Sequence, residues 1–173
     1  MVPLQISIET MTRPKLHPRV AAKRKRNPIP LSRLQTSDAV KTVLANPRRL
    51  EELLRMLEDN DLVIRGRAAA TLAGLSESRP EQLLNVLPRL RKWLEDDFDY
   101  ARWHLVYAFG QIGMRFPKDS LQYRDDIAAR LNDSSRIVRM IAGKALALLA
   151  ARHPDSEWAR NPEPVAPPAP DGR

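Results

Sequence analysis

The sequence has no cysteine, little glycine, few aromatic residues and no long apolar run. Of its 173 residues none is Cys, six are Gly and 5% are aromatic. The absence of cysteine excludes disulfides, thiol nucleophiles and thiolate metal ligands. No stretch approaches the roughly 18 apolar residues that a membrane-spanning helix needs, and the first 25 residues lack the apolar core of a signal peptide. We expect a soluble intracellular protein, cytoplasmic, or nuclear if its source is a eukaryote.

Motifs for enzyme chemistry are missing as well. The three histidines do not form an HExxH pair, and there is no Walker loop or GxSxG elbow. Without cysteine or paired histidines, a transition-metal site lacks ligands. Gly110-Gln111-Ile112-Gly113 has the GxxG spacing of a KH loop, but it falls inside a predicted helix, where close helix packing explains it better. We expect no catalytic residue, metal, cofactor, small-molecule substrate or membrane contact.

The net charge of +8 is concentrated at the N-terminus. Residues 1–49 contain 11 Lys and Arg against two acidic residues, a net charge of +9, whereas residues 50–173 contain 18 basic and 19 acidic residues, a net charge of −1. Proline is dense in the same N-terminal segment and again near the C-terminus, and it prevents helix propagation. The pattern predicts a basic extended arm over residues 1–34 and a Pro-rich disordered tail over residues 154–173.

The arm has the composition of a segment that binds a polyanion. Like charges as dense as Lys23-Arg24-Lys25-Arg26 keep a chain extended until it meets opposite charge. Phosphate neutralisation by such a segment releases counterions and needs no sequence preference. In a eukaryote the same tetrad is typical of a nuclear import signal. The predicted polyanion contacts are Arg13, Lys15, Arg19, Lys23, Arg24, Lys25, Arg26 and Arg33.

The rest of the chain repeats itself every 37 residues without gaps. Leu57-Glu58-Asp59, Leu94-Glu95-Asp96 and Leu131-Asn132-Asp133 align, and each unit ends at a proline. Apolar residues in each unit follow the i, i+4, i+7, i+8, i+11 spacing of one helix face, as at Ile64, Ala68, Thr71, Leu72 and Leu75. An earlier Leu-rich helix precedes each of these, separated from it by an acidic turn.

Repeated helical hairpins bury their apolar faces only against neighbouring hairpins. The repeat therefore predicts an all-α fold, a short right-handed α-solenoid of about three hairpins with extended N- and C-terminal tails. The expected repeat domain spans residues 47–153, divided into 47–80, 81–117 and 118–153. Residues 35–46 are expected to form a short helix or a linker.

The unit resembles a HEAT repeat. That pattern has a proline in the first helix, an Asp eight residues later, and an apolar–Arg pair whose Arg lies six beyond the Asp. The middle unit matches with Pro88, Asp96 and Ala101-Arg102, whereas the other two keep the Asp and Arg but have Glu51 and Asp125 at the proline position. The resemblance implies a polar ladder between units, which would be formed by Asp59, Arg65, Asp96, Arg102, Asp133 and Arg139. It implies little about function, because HEAT arrays are scaffolds for many partners.

The middle unit carries an aromatic cluster that its neighbours lack. Trp103 stands where the other units have Gly66 and Met140, and Tyr107 stands where they have Ala70 and Lys144. We expect Trp103 and Tyr107 to be exposed, while Trp93 and Phe98 belong to the core. Aromatic residues beside Arg are typical of partner hot spots and also stack on bases. The predicted partner-binding residues are Arg67, Trp103, His104, Tyr107 and Lys144.

These features favour a non-enzymatic HEAT-repeat adaptor within a larger complex. Its solenoid would bind a protein partner and its arm would bind nucleic acid, either DNA or RNA, including ribosomal RNA. One alternative is an interaction scaffold whose arm binds an acidic protein, and another is an arm that is only a passive, solubilising tail. A remote alternative is a relative of the HEAT-like DNA-repair glycosylases, but the neutral body offers a duplex few phosphate contacts.

Overall fold

A computed structural model describes residues 28–160 of the chain, except the side chains of residues 157 and 158. Regular structure in this range is entirely helical. Short 3₁₀ segments at Leu31–Arg33, Pro47–Arg49, Pro80–Val86, Arg91–Glu95, Leu121–Tyr123 and Arg130–Asn132 separate or extend the α-helices. The α-helices are α1 (Thr36–Ala45), α2 (Leu50–Met56), α3 (Leu62–Ser78), α4 (Leu87–Leu90), α5 (Asp99–Arg115), α6 (Pro117–Ser120), α7 (Arg124–Ala129), α8 (Arg136–Arg152) and α9 (Glu157–Arg160).

Three long helices of 17 residues, α3, α5 and α8, form one layer of the array. They pack side by side in chain order, α3 on α5 and α5 on α8. The first helix of each unit is broken into shorter α and 3₁₀ pieces that pack against these long helices. This arrangement confirms the predicted all-α helical repeat solenoid, because each hairpin buries its apolar face against its neighbours.

The core contains the apolar positions that the 37-residue repeat aligns. Leu72 and Phe109 are fully buried at equivalent positions of the first two units, as are Leu75, Ile112 and Leu149 across all three. The ring of Phe109 also meets Tyr123 edge to face, with centroids 5.1 Å apart. Burying such side chains contributes about 1.5–3 kcal/mol each, so the repeated positions add substantially to the free energy of folding.

The N-terminal end of the array is covered by residues that precede the first unit. Helix α1 packs on α3, and Val40 of α1 lies against Gly74. Leu31 is only 1% exposed and belongs to the core cluster. The expectation of an extended arm over residues 1–34 is therefore wrong for its last residues, because an apolar side chain follows the prolines and packs on the first unit. Residues 1–27 of the arm lie outside the described residues.

The C-terminal segment also begins with structure. Helix α9 (Glu157–Arg160) lies inside the range predicted as a disordered tail and contacts α8. Residues 161–173 of that tail lie outside the described residues. Within residues 28–160, no helix has both the length and the apolarity that crossing a membrane requires.

Gly110 sets the distance between α5 and α8. A Cβ at this position would lie 2.8 Å from Cβ of Ala145 and 3.1 Å from its Cα, closer than real Cβ atoms come. Both atoms belong to Ala145 of α8, and neither can be moved by rotating a side chain. The two helices would therefore have to move apart. The GxxG sequence therefore serves close helix packing inside α5.

We expect Gly110→Ala to destabilise the protein, because overpacking at this contact costs about 1–3 kcal/mol and outweighs the gain in helix propensity. Gly143→Ala is the matched control, since its added Cβ would meet only Leu131 at an ordinary 3.9 Å. That change should stabilise α8 by about 0.4–1 kcal/mol. Urea unfolding of both variants measures the two shifts. A stabilising Gly110→Ala would show that the helices are not in close contact there.

Candidate functional site

Two buried arginines join the three units. The Arg102 Nε and Nη2 donate to the two carboxylate oxygens of Asp133 in the next unit, at 2.9 and 2.7 Å. Arg65 donates through Nη2 to Asp96 Oδ1 at 3.2 Å, its Nε lies 3.0 Å from Asp96 Oδ2, and it also pairs with Asp97. Burial alone would raise the pKa of Asp133, but hydrogen bonds from Arg102 hold it below its usual value. The Asp133 carboxylate therefore stays charged and paired with Arg102 inside the array.

Each ladder arginine also closes the turn of its own unit. Nη1 of Arg65, Arg102 and Arg139 donates to the main-chain carbonyls of Asp59, Asp96 and Asp133, at 3.0, 2.7 and 2.7 Å respectively. The same aspartates accept the amide hydrogen two residues later through Oδ1. Every turn between the two helices of a unit is thus held in one shape. The first turns of α3, α5 and α8 consequently lie at equivalent places along the array.

An apolar row crosses these first turns. Val63, Tyr100 and Ile137 occupy the same position of the three units, and they are 57%, 43% and 39% exposed. Leu62 and Met140 add exposed apolar surface beside them. Large exposed apolar side chains that recur at one position of every unit are typical of a contact surface. Sequence reasoning missed Val63 and Ile137, although the 37-residue alignment places them with Tyr100.

At the middle unit, aromatic rings pack around Tyr100 and add apolar surface to this row. Tyr100 meets Trp103 edge to face at 5.6 Å and stacks with Phe98 at 5.7 Å. The Phe98 and Tyr100 rings lie over Gly66, where a Cβ would approach them to 2.9 and 3.0 Å. The glycine therefore makes room for the rings. Phe98 and Trp93, which we expected in the core, are half-buried. Trp103, which we expected to be exposed, is half-buried as well.

His104 does not lie on the surface predicted for it. Its side chain is buried beside Tyr100 and Trp103, and its Nδ1 donates to the Tyr100 carbonyl at 2.7 Å. The expectation that His104 is a partner-binding residue is wrong, because the two larger rings cover it. Burial lowers the pKa of His104, although the hydrogen bond to Tyr100 acts in the opposite direction.

A second feature lies further along α5 and α8. Tyr107 is half-buried, and its hydroxyl donates to Glu77 Oε1 at 2.8 Å. Tyr107, Lys144 and four smaller or aliphatic residues line a groove of about 150 Å³ whose walls are almost wholly apolar. Lys144 is exposed at its rim. The structure thus brings together Tyr107 and Lys144, which belong to neighbouring units.

Arg67 is exposed but engaged by the chain itself. Its Nη1 donates to the Ser32 carbonyl at 2.7 Å. The same short segment is held by Arg49, whose Nη2 donates to the Ile29 carbonyl at 2.7 Å, and by Glu52, which accepts the Leu31 amide at 2.6 Å. Arg67 therefore anchors the base of the arm instead of facing a free surface.

Most of the predicted polyanion contacts cannot be placed against this surface. Arg33 is exposed at the end of the anchored segment. Arg13, Lys15, Arg19, Lys23, Arg24, Lys25 and Arg26 lie outside the described residues. Among residues 28–160, no group of three or more His, Asp or Glu side chains is arranged to hold a metal ion.

Comparison with known proteins supports the fold but does not indicate a particular function. No protein-family model matches the chain, and no curated protein matches it. A solved structure of a designed armadillo repeat protein in complex with the peptide (KR)4 is similar, with a TM-score of 0.58 and 20% identity. The match covers 70% of this chain and 55% of that one, so this chain spans about half the length of the designed array. The chain is a helical repeat solenoid, a class that includes armadillo as well as HEAT arrays.

The burial of His104 predicts a loss of stability in mild acid. Because its folded pKa lies below the unfolded value of about 6.5, the unfolded chain binds a proton first as pH falls. The free energy of unfolding should be unaffected by this group above about pH 7 and should decrease as pH falls through 6.5.

We expect His104→Gln to flatten the dependence of the urea midpoint on pH between 7 and 5. The glutamine amide retains a donor for the Tyr100 carbonyl but does not titrate. His153→Gln controls for loss of a histidine and should retain the slope that His104 causes. An unchanged slope in His104→Gln would mean that this ring is protonated as readily in the folded protein as in the unfolded one.

Proposed function

We propose that the protein is a non-enzymatic scaffold whose solenoid binds an extended segment of a protein partner. The partner would lie across the first turns of α3, α5 and α8. The observation that carries this proposal is the exposed apolar row of Val63, Tyr100 and Ile137 at one position of three successive units. The similar designed array was solved with a bound peptide, which supports a segment of protein as the kind of ligand.

The spacing of the row suits an extended chain. Packed helices lie about 8–10 Å apart, and a chain in the extended polyproline II conformation advances about 3.1 Å per residue with three residues per turn. A bound segment in this conformation would therefore present one side chain to each successive unit at intervals of about three residues. Apolar side chains at that interval would meet Val63, Tyr100 and Ile137 in turn, with Trp103 widening the central contact.

Charge at the edge of the row favours one direction of binding. Exposed Asp61 and Asp99 flank the first two units, whereas exposed Arg136 flanks the third. A segment with a basic end over the first units and an acidic end over the third would complement all three charges. Such complementarity sets register and partner choice more than it adds affinity.

The solenoid proposal is tested with a Val63→Ser, Ile137→Ser double variant. Peptides selected from a random library on the wild-type protein should bind this variant at least about ten-fold more weakly, because two apolar contacts are lost. Fluorescence anisotropy with the labelled peptides measures the dissociation constants. Leu121→Ser is the matched control, since Leu121 is 38% exposed but lies in a different segment. Equal binding by the double variant, or equal weakening by the control, would contradict the proposal.

We further propose that the basic arm binds nucleic acid while the solenoid holds its protein partner. Residues 1–27 contain seven Lys and Arg and one Glu, and the anchored segment at Ile29, Leu31 and Ser32 attaches this charge to a fixed place on the first unit. Affinity from such an arm comes from counterion release and falls steeply with salt. An acidic protein is the alternative ligand for the same charge.

Replacing Lys23, Arg24, Lys25 and Arg26 by alanine should weaken binding of a labelled random-sequence DNA duplex about ten-fold or more and reduce its salt slope. The charge-matched control replaces Arg48, Arg55, Arg115 and Lys118, all exposed, by alanine. A truncation should end at Asn27, since Leu31 is part of the core. An equal loss of DNA affinity in the control would show that binding depends on net charge and not on the arm. If the wild-type protein bound no DNA, an acidic protein would be favoured as the ligand of the arm.

A further inference from the structure

The C-terminal end of the array has an incomplete ladder. Arg139 donates through Nη1 to the carbonyls of Asp133 and Ser134, at 2.7 and 3.0 Å, as its equivalents do in their own turns. In Arg65 and Arg102 the remaining Nε and Nη2 face a carboxylate of the following unit. Among the side chains that the structure describes, which leave out Glu157, the same two atoms of Arg139 meet no carboxylate, and the Arg139 side chain is half-buried instead of buried.

The surface of α8 around Arg139 matches faces that are covered in the other two units. Gly66, Gly110 and Gly113 each point at the next unit, because an added Cβ would meet Phe98, Ala145 and Leu149 respectively. The equivalents of these positions on α3 and α5 are buried, with Trp103 half-buried. On α8 the equivalents are Met140, which is 49% exposed, Ala147, which is exposed, and Ala150, which is half-buried.

We propose that this end of the array docks a helical hairpin of a second protein that supplies an aspartate to Arg139. The two interfaces inside the molecule show the chemistry of the occupant. Its turn would present a carboxylate to Nε and Nη2, as Asp133 does to Arg102. Its second helix would pack closely on Met140, Ala147 and Ala150, as α8 packs on α5 at Gly110 and Gly113. The surface thus continues an interface that the protein already uses twice.

A second copy of this chain does not fit the surface as well. The opposite end of the array, where Asp59 would meet an arginine, is covered by α1 and by the segment around Leu31. Head-to-tail stacking would have to displace both. Residues 161–173 contain five prolines, which disfavours the two helices that the occupant requires. A hairpin from a different protein meets neither obstacle. The observations behind this inference differ from those behind the proposed peptide contact across Val63, Tyr100 and Ile137, although Met140 borders both surfaces.

The test supplies the hairpin covalently, by inserting a second copy of residues 117–153, one full 37-residue repeat, after His153 in the full chain. The inserted copy of Asp133 should then pair with Arg139. Arg139→Ala, and Asp→Asn at the inserted Asp133 alone, should each raise the unfolding equilibrium constant about ten-fold or more, because each leaves a buried partner unpaired. Both changes together should cost no more than the larger single effect. Urea unfolding followed by circular dichroism measures all four proteins.

Ala147→Leu gives a second reading that does not depend on charge. In the natural chain Ala147 is exposed, so the change should leave the urea midpoint unaltered. In the extended chain it should lower the midpoint, because the larger side chain enters a close helix contact. Arg136→Ala, an exposed neighbour on the first turn of α8, should have no effect in either chain.

Additive effects of the Arg139 and inserted Asp changes, or an extended chain insensitive to Ala147→Leu, would overturn the proposal. Light scattering of the natural chain gives a further check. A dimer that dissociates with Arg139→Ala would identify the occupant as a second copy and overturn the assignment to a different protein. Coupling between Arg139→Ala and Asp171→Asn in the natural chain would overturn it in favour of the chain's own C-terminal residues.

Discussion

The buried arginine that joins one unit to the next is the interaction on which the rest of the array depends. Arg102 uses one nitrogen to close the turn of its own unit and two others to hold Asp133 of the following one. A guanidinium has enough donors in a rigid fork to do both, whereas a lysine ammonium does not present that geometry. Because the same group shapes the turn and sets the distance to the neighbour, local and tertiary structure cannot be altered independently. The exposed apolar row keeps its alignment for this reason.

Exposed ion pairs link the units on the other layer of the array. Arg89 lies 2.9 Å from Glu51, and Arg91 lies 2.8 Å from Asp126. Pairs of this kind contribute little to stability because water screens them and both side chains lose entropy. The ladder differs because Asp96 and Asp133 are buried, so loss of an arginine leaves a charge without compensation. The buried ladder therefore contributes more to the alignment of the units than the exposed ion pairs do.

The fold could be predicted from the sequence because the 37-residue repeat carries the same information three times. Leu72 and Phe109 are aligned by the repeat and are both core residues, so periodicity and burial agree. The candidate site could be predicted from the sequence only in part. His104 is polar and lies between aromatic neighbours, and its burial depends on how the Tyr100 and Trp103 rings lean over it, which spacing does not encode. Leu31 lies in a short segment that also contains Ile29 and Leu34, and only a tertiary contact decides that Leu31 is buried while Ile29 is exposed. The sequence does not single out Val63 and Ile137, because single exposed apolar residues are common.

The anchor at Ser32 limits how far the basic residues can lie from the first unit. Since Arg67 and Arg49 hold the chain at Ser32 and Ile29, the basic residues before it start from a known point on the first unit. A segment of 27 residues spans at most about 90 Å when fully extended, and Lys23 to Arg26 lie only a few residues from the anchor. By covalent length alone, a ligand of that tetrad would lie close to the first unit, whereas a ligand of Arg13 could lie several times further away. The number of residues to the anchor therefore sets a short upper limit on distance for one end of the basic segment and a long one for the other.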